Sequence, residues 1–445
     1  MKRPLLYIFL WFLSVNLQAQ TDPYDSLQKV LRTAAHDTTR YNAYLGLGNY
    51  LQNSDPDSAL YFHGRAQKLA EKLHDDLRTG EVLKQIGWEY YLKSDFEPAL
   101  KCYREMLGIS ETFMSSSDKA ILDKAKRLKT SALGRFGTVY YSLSDYPKAL
   151  EYYFKALEMY KEIDNKKGQA INYSNIGIVY ADMADYRKAL DYYFKALKLS
   201  EETGHDAGIA ISLGNIGIVY GDLGEHKKAL EYYQRALKMN EEANDVTGQA
   251  INLGNIGQAY VSMKEDDKAL EYYSRSIKIH EKTGNKNALA NNLMNIGGIY
   301  HNKLNSPKAL DYYFQAVKIQ EELGDKIGLA STYGSIGAVY LQTKNYAPAE
   351  KYLKQAEKLN RELNTINQLK KDCGYLSQVY SATGKPVLAL QYYKEHIALR
   401  DSVNREENQK ASIQKEMQFN FEKKSAADSV ANAKKQEVQS AAIAS

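Results

Sequence analysis

Four asparagines, Asn175, Asn215, Asn255 and Asn295, recur at intervals of 40 residues, each directly before an Ile-Gly pair. A side-chain amide offers one acceptor oxygen and two donor hydrogens. Four such amides in register can pair with the N–H and C=O groups of an extended peptide, whatever its sequence. They can equally well hold neighbouring structural repeats together. Three residues after each asparagine stand Ile178, Ile218, Gln258 and Gly298, with Gly214, Gly254 and Gly334 nearby. Asp182 and Asp222 add local negative charge. No Lys/Arg pair accompanies the asparagines, so a clamp for a C-terminal carboxylate is not expected.

Catalysis finds little support. The sequence has no Gly-rich phosphate loop, no His-Glu-x-x-His pair and no Gly-x-Ser-x-Gly elbow. Its 8 histidines are scattered, and none shares a repeat with a second ligand at metal spacing. His301 lies where it could face a groove, but a satisfied or solvent-exposed histidine is the expected role. We therefore expect no catalytic residues, no metal site and no cofactor.

The elements that must carry the asparagines follow from the same spacing. Ile176-Gly177, Ile216-Gly217, Ile256-Gly257, Ile296-Gly297 and Ile336-Gly337 repeat with a period of 40. Each pair is followed three residues on by a tyrosine, Tyr180 through Tyr340, and twelve residues after the glycine by an alanine, Ala189 through Ala349. Looser copies centre on Gly48, Gly87, Gly137 and Ser377, which makes nine units. Tyr173, Ile176, Gly177 and Tyr180 fall at i, i+3, i+4 and i+7, one face of a helix. Ala189, Tyr193, Ala196 and Leu197 do the same for a second helix. A short polar turn, Ala184-Asp185-Tyr186, is expected between them. Pro147, Pro307, Pro348 and Pro386 fit the first turn of a second helix, where N–H groups have no intrahelical partner. Gly204, Gly284 and Gly324 fit helix ends with positive φ, and Asp206 is expected to cap the next first helix.

These residues resemble the tetratricopeptide repeat. In that pattern a large residue, Leu/Ile-Gly and Tyr line the first helix, while Ala, an aromatic and Ala line the second. Tyr173, Ile176, Gly177, Tyr180, Ala189, Tyr193 and Ala196 match in order. The period departs from the usual 34 residues, so the helices and the turn between repeats should be longer. Glu201 replaces the closing proline. The resemblance implies an all-α fold, a right-handed solenoid of about nine hairpins, with first helices lining an inner groove. It also implies a protein or an extended peptide as the ligand, with Asn175, Asn215, Asn255, Asn295, Ile178, Ile218, Asp182 and Asp222 as candidate contacts. Ser335 and Arg135 interrupt the ladder at its two ends.

Other positions are read more plainly. The tyrosine pairs, such as Tyr192-Tyr193, are expected to be core between helices. Lys148, Lys188, Lys228, Lys268 and Lys308 are expected to face solvent. The step from Gly87 to Gly137 is ten residues too long. Ser115-Ser116-Ser117-Asp118 should break one helix and cap another running to Ser142. The extension carries Lys119, Lys124, Lys126, Arg127 and Lys129, either a basic docking element or a solvated face.

Composition bounds the rest. Tyr at 37, against Phe 11 and Trp 2, suggests one copied unit, and 44% hydrophobic residues exclude a mainly disordered chain. Lys+Arg 59 against Asp+Glu 54 gives +5, too little for a nucleic-acid partner. Cys102 and Cys373 should be buried and unpaired. Lys2 and Arg3 followed by the apolar run Leu5 to Val15 have the layout of a signal peptide over 1–19, so an exported, periplasmic protein is expected. The run is too short to span a bilayer. After the array of 20–400, residues 401–445 read as a connector helix. Ile413, Met417 and Phe421 give it a sticky stripe suited to a coiled coil and a homodimer. The order of signal peptide, repeat array and charged helix resembles the sensor half of Bacteroidetes membrane signal transducers. It implies a sensor or scaffold in a signalling system. The alternative is a free-standing periplasmic assembly adaptor.

Overall fold

The computed structural model describes residues 22–52 and 54–404, all helices and short turns. The expected signal peptide and nearly all of the connector helix, with Ile413, Met417 and Phe421, lie outside the described residues. Helices of the first and second kind alternate along the chain, an all-α solenoid arrangement of 19 helices among the described residues. The chain divides into two compact units, 1–143 and 144–445.

Unit 1 contains the helices Pro23–Thr33, Asp37–Leu51, Pro56–Lys72, Asp76–Leu92, Phe96–Thr112 and Lys119–Ser142. The last has 24 residues, against 17 for the two before it. The ten-residue excess is thus split between two further helical turns and a longer connection. Asp118 caps the helix, accepting from the N–H groups of Ala120 and Ile121 at 2.8 and 3.3 Å. Lys119, Lys124 and Arg127 are exposed, while Ala125 and Leu128 are buried. The extension is therefore solvated on one side and packed on the other.

The core of unit 1 departs from the repeat pattern twice. His63 occupies the place of the core tyrosine and lies against Gly48, where a Cβ would fall 2.3 Å from its ring. Glu89, two residues after Gly87, stands where later repeats carry Val139, Val179 and Val219. Both side chains are fully buried, with His63 Nδ1 3.7 Å from Glu89 Oε1, beyond hydrogen-bond range. His63 Nε2 lies 3.2 Å from Asn49 Oδ1. His63 Nδ1, both Glu89 oxygens and the Tyr103 hydroxyl have no hydrogen-bond partner among the described residues. Burial pushes His63 down to about 4 and Glu89 up to about 7.

Unit 2 is more regular. It runs from Tyr146–Glu162 and Lys166–Asp182 to Ile366–Ala382 and a last helix over 386–404. Its complete helices have 17 or 18 residues. The turns within and between hairpins are equally short, so the long period resides in the helices. Each turn turns on one left-handed residue, such as Ala184 (φ 57°) within a hairpin or Gly204 (φ 62°) between two. The N–H of the following residue then reaches back five positions, as from His205 to the Ser200 carbonyl at 2.9 Å. This geometry moves two expected features by one residue. The turn is Met183-Ala184-Asp185, with Tyr186 already helical. His205, not Asp206, holds the cap position, and Asp206 is the first helical residue. In other repeats that cap position carries a bonding side chain. Asn165, Asp245 and Asp325 accept from Gly168, Gly248 and Gly328.

Packing explains the glycines and tyrosines. The Tyr233 ring lies so close to Gly217 that a Cβ there would fall 2.6 Å from Cε1. Only glycine lets the two helices of the hairpin approach to this distance. The other tyrosine of each pair stacks on the first helix, as Tyr232 does on Tyr220 at 5.4 Å and Tyr192 on Tyr180 at 5.5 Å. The repeated lysines are partly committed. Lys188, Lys228, Lys268 and Lys308 each hold their ammonium about 5 Å from the centre of that first-helix ring. Cys102 and Cys373 are buried free thiols.

Candidate binding face

The first helices of unit 2 carry two columns of asparagine one turn apart. Asn172, Asn252 and Asn292 are buried. Their amide nitrogens donate to the Gly168 carbonyl at 3.2 Å, the Gly248 carbonyl at 3.0 Å and Ser276 Oγ at 2.8 Å. Asn175, Asn215 and Asn255 are half-buried and Asn295 is exposed. None of these four amides hydrogen-bonds to a described residue. The helical period of 3.6 places Asn175 and Ile178 on one stripe, with Asp182 at its C-terminal end. Ile218 is exposed, as are Asp182 and Asp222. Burial and the charge of Asp182 hold the Asp222 carboxyl above its ordinary range, so the two helix ends carry neighbouring negative charge.

The same columns become concave further along unit 2. A cavity of about 260 Å³ lies among the last three first helices, Lys286–Asn302, Lys326–Gln342 and Ile366–Ala382. Ser335, one period after Asn295, lines it. So do Gly298 and Ala338, which hold the position of Ile178 and Ile218, and Asn302, which holds that of Asp182 and Asp222. The face carrying the candidate residues is therefore the face that forms the concavity. His301 also lines the cavity, and burial holds its pKa below the ordinary value. Among the described residues no His, Cys, Asp and Glu gather as a metal-binding group. No described helix is long and apolar enough to cross a membrane.

The family model of the tetratricopeptide repeat matches residues 128–202, 168–242, 208–282 and 288–362, more than half the chain in all. The chain belongs to the tetratricopeptide-repeat family. No curated protein sequence matches it significantly. Solved structures do resemble the tetratricopeptide array at low identity. A STAND signal-transduction ATPase with a tetratricopeptide repeat sensor from Pyrococcus horikoshii is 17% identical, with a TM-score of 0.61 over 86% of this chain and 56% of that one. The array thus spans about half the length of that relative. The apo quorum sensor NprR from B. thuringiensis is 16% identical, with a TM-score of 0.56 over 82% of this chain and 98% of that one. A Rap protein complexed with Competence and Sporulation Factor is 14% identical, with a TM-score of 0.51 over 82% and 99%. At these identities the likeness is one of fold.

Within the array, one row of residues was missed by sequence reasoning. Ile171, Ile211 and Ile251 stand one helical turn before the ladder asparagines and are 49%, 58% and 56% exposed. They form an aliphatic row beside the amide row, and their period of 40 was legible. What the sequence did not show is that this turn of the helix points away from the core. In the next repeats the row changes to Asn291, Ser331 and Lys371, and the face becomes polar.

Proposed function

We propose that this tetratricopeptide array is an exported module that binds an extended peptide or an unfolded protein segment along the first helices of unit 2. It would act as the sensor or scaffold of a signalling system. One observation carries the reading. Asn175, Asn215, Asn255 and Asn295 present amides in register that no described residue satisfies, while the amide nitrogens of the buried asparagines beside them are bonded. An amide with both donor and acceptor open can bridge a peptide's own C=O and N–H groups. The exposed isoleucines Ile171, Ile211 and Ile251 would take apolar side chains of the same ligand. The structural likeness to a Rap protein complexed with Competence and Sporulation Factor, and to the quorum sensor NprR, supports a ligand of this kind. Export rests on Lys2, Arg3 and the apolar run that follows, and dimerisation through the tail on Ile413, Met417 and Phe421.

The test is capture of peptides from a synthetic library by the full chain and by the Asn215→Ala, Asn255→Ala double variant. Two amides at about 1 kcal/mol each predict a loss of roughly thirty-fold in affinity. The thermal midpoint should stay within about a degree, because both side chains lie outside the core. Unchanged capture would sink the ladder.

A further inference from the structure

The cavity in the last three repeats contains a carboxylate where the preceding repeats use an uncharged side chain. Asp372 lies in the buried asparagine column, where the preceding repeats carry Asn172, Ser212, Asn252, Asn292 and Thr332. An uncharged side chain fills this place five times. Asp372 is 3% exposed and still lines the cavity. Its Oδ2 accepts from Asn360 Nδ2 at 2.7 Å. Its Oδ1 has no hydrogen-bond partner among the described residues, and no described cation forms an ion pair with it. A buried carboxylate with half its acceptor capacity open is costly unless a cation or donor completes it.

The wall beside that oxygen is shaped to leave it open. Gly214, Gly254 and Gly334 stand one position before the ladder register, and each clears the side-chain oxygen of the following repeat. A Cβ on Gly214 would lie 3.7 Å from Asn252 Oδ1, and one on Gly254 would lie 3.8 Å from Asn292 Oδ1. On Gly334 it would lie 3.0 Å from Asp372 Oδ1, closer than ordinary contact. Gly298 and Ala338 keep the rest of the wall small. The row of neutral acceptors therefore ends in an anionic one, at the cavity.

We infer that the cavity at Asp372 captures a cationic group of the bound peptide, an α-ammonium or a Lys or Arg side chain, and so sets the peptide's register on the ladder. The inference rests on the proposed peptide-binding function. The other charges at the site are consistent with it. Lys371 lines the cavity on the neighbouring position of the same helix and favours the ionised form of Asp372. His301 is held toward its neutral form by burial and so adds no positive charge beside the anion. Glu357 on the adjoining helix disfavours the ionised form of Asp372, and is itself paired with Lys354 and Arg361. Asn360, Ser331, Ser335 and Gln368 supply neutral dipoles. A cation would also offset the desolvation that pushes Asp372 up to about 7.

The experiment is a bead library of short synthetic peptides, half with free amino termini and half acetylated, screened with the full chain labelled fluorescently. The variants are Asp372→Asn, which installs the residue native at three equivalent positions, and Gly334→Ala, which fills the space beside Oδ1 without removing charge. The expected result is enrichment of a cation at one fixed position by the wild type, and a loss of that preference of about tenfold or more in both variants, with peptides still captured. Enrichment confined to free amines identifies the terminus; enrichment on acetylated beads identifies a Lys or Arg side chain. Peptides captured without cation preference, or an Asp372→Asn chain that keeps the preference, overturn the inference and leave the peptide reading intact. A wild type that captures nothing overturns the peptide reading and this inference together.

Discussion

Two polar seams, one in each unit, are buried at comparable depth and satisfied differently, although unit 2 also leaves Asn172 Oδ1 and His205 Nδ1 without a partner among the described residues. In unit 2, Asn292 donates to Ser276 Oγ at 2.8 Å, and that hydroxyl donates to the Ala250 carbonyl at 2.9 Å. Thr332 donates to Gln320 Oε1, also at 2.9 Å. In unit 1, His63 and Glu89 lie within 3.7 Å of each other, yet His63 Nδ1 and both Glu89 oxygens are without a hydrogen bond. The unit 2 seam uses neutral amides and hydroxyls and the unit 1 pair is ionisable, and the consequence is opposite. A bonded polar seam fixes the register of neighbouring repeats at little net cost, whereas an orphaned carboxylate subtracts from stability. Burial alone does not decide what a core polar residue does; its partners do.

The most direct way to break the contrast is Glu89→Val, which restores the residue found at Val139, Val179 and Val219. Removing a buried carboxylate without partners should stabilise unit 1 by about 2 kcal/mol at pH 8. The sign depends on pH. The folded-state pKa of Glu89 is raised, to about 7 against an ordinary 4.5. Its favourable contribution is complete below 4.5 and is lost as pH rises through 7. His63 is lowered, to about 4 against 6.5, so its contribution is complete above 6.5 and is lost as pH falls through 4. Unit 1 should be most stable between roughly pH 4.5 and 6.5. Glu89→Val should abolish the alkaline loss and leave the acid one. Hydrogen exchange in Asp76–Leu92, corrected for intrinsic rates and compared with Asp206–Asp222 across pH, reads this directly. A flat alkaline limb in the wild type would refute it.

Much of this was legible in the sequence, and the illegible parts have a common cause. A period of 40 with glycine and tyrosine at fixed offsets fixes alternating helices, because only a small residue under a ring lets two helices meet at that spacing. The ladder positions followed from the same register, as did the Asp118 cap and the prolines in first turns. His63 and Glu89 were each visible as departures from the pattern, a histidine for a tyrosine and an acid for a valine. Their meeting was not, since they lie 26 residues apart on different helices. Asp372 was hidden for the same reason: its partner Asn360 and its clearing Gly334 belong to other helices. Exposure of Ile171, Ile211 and Ile251 needed the direction of the helix face, which a periodic sequence leaves open when both faces carry aliphatic residues.

A middle-sized effect sharpens the contrast within unit 2. Asn292 and Asn295 are three residues apart on one helix, one bonded in the seam and one open on the face. Asn292→Ala leaves the Ser276 hydroxyl without its donor and opens a small void. It should cost about 1–3 kcal/mol. Asn295→Ala should change stability by less than about 0.5 kcal/mol. Urea unfolding followed by circular dichroism separates the two, and equal costs would mean that the open column is structural after all.

The smallest effect concerns the turns, where the same accounting holds without burial. Ten described turns place a residue other than glycine at positive φ, among them Leu304 at 58°. Leu304 is 72% exposed, so its side chain contributes little packing to offset the left-handed backbone. A left-handed conformation costs a residue with a Cβ about 1–2 kcal/mol, and glycine gives back part of that through the greater entropy of its unfolded chain. Leu304→Gly should therefore stabilise the hairpin by a few tenths of a kcal/mol, toward the state already native at Gly224 and Gly384. A one-residue change of this size is best read as slower hydrogen exchange at the start of Ser306–Leu323. If exchange there quickens instead, the exposed leucine side chain must be stabilising the turn by more than its strained backbone costs.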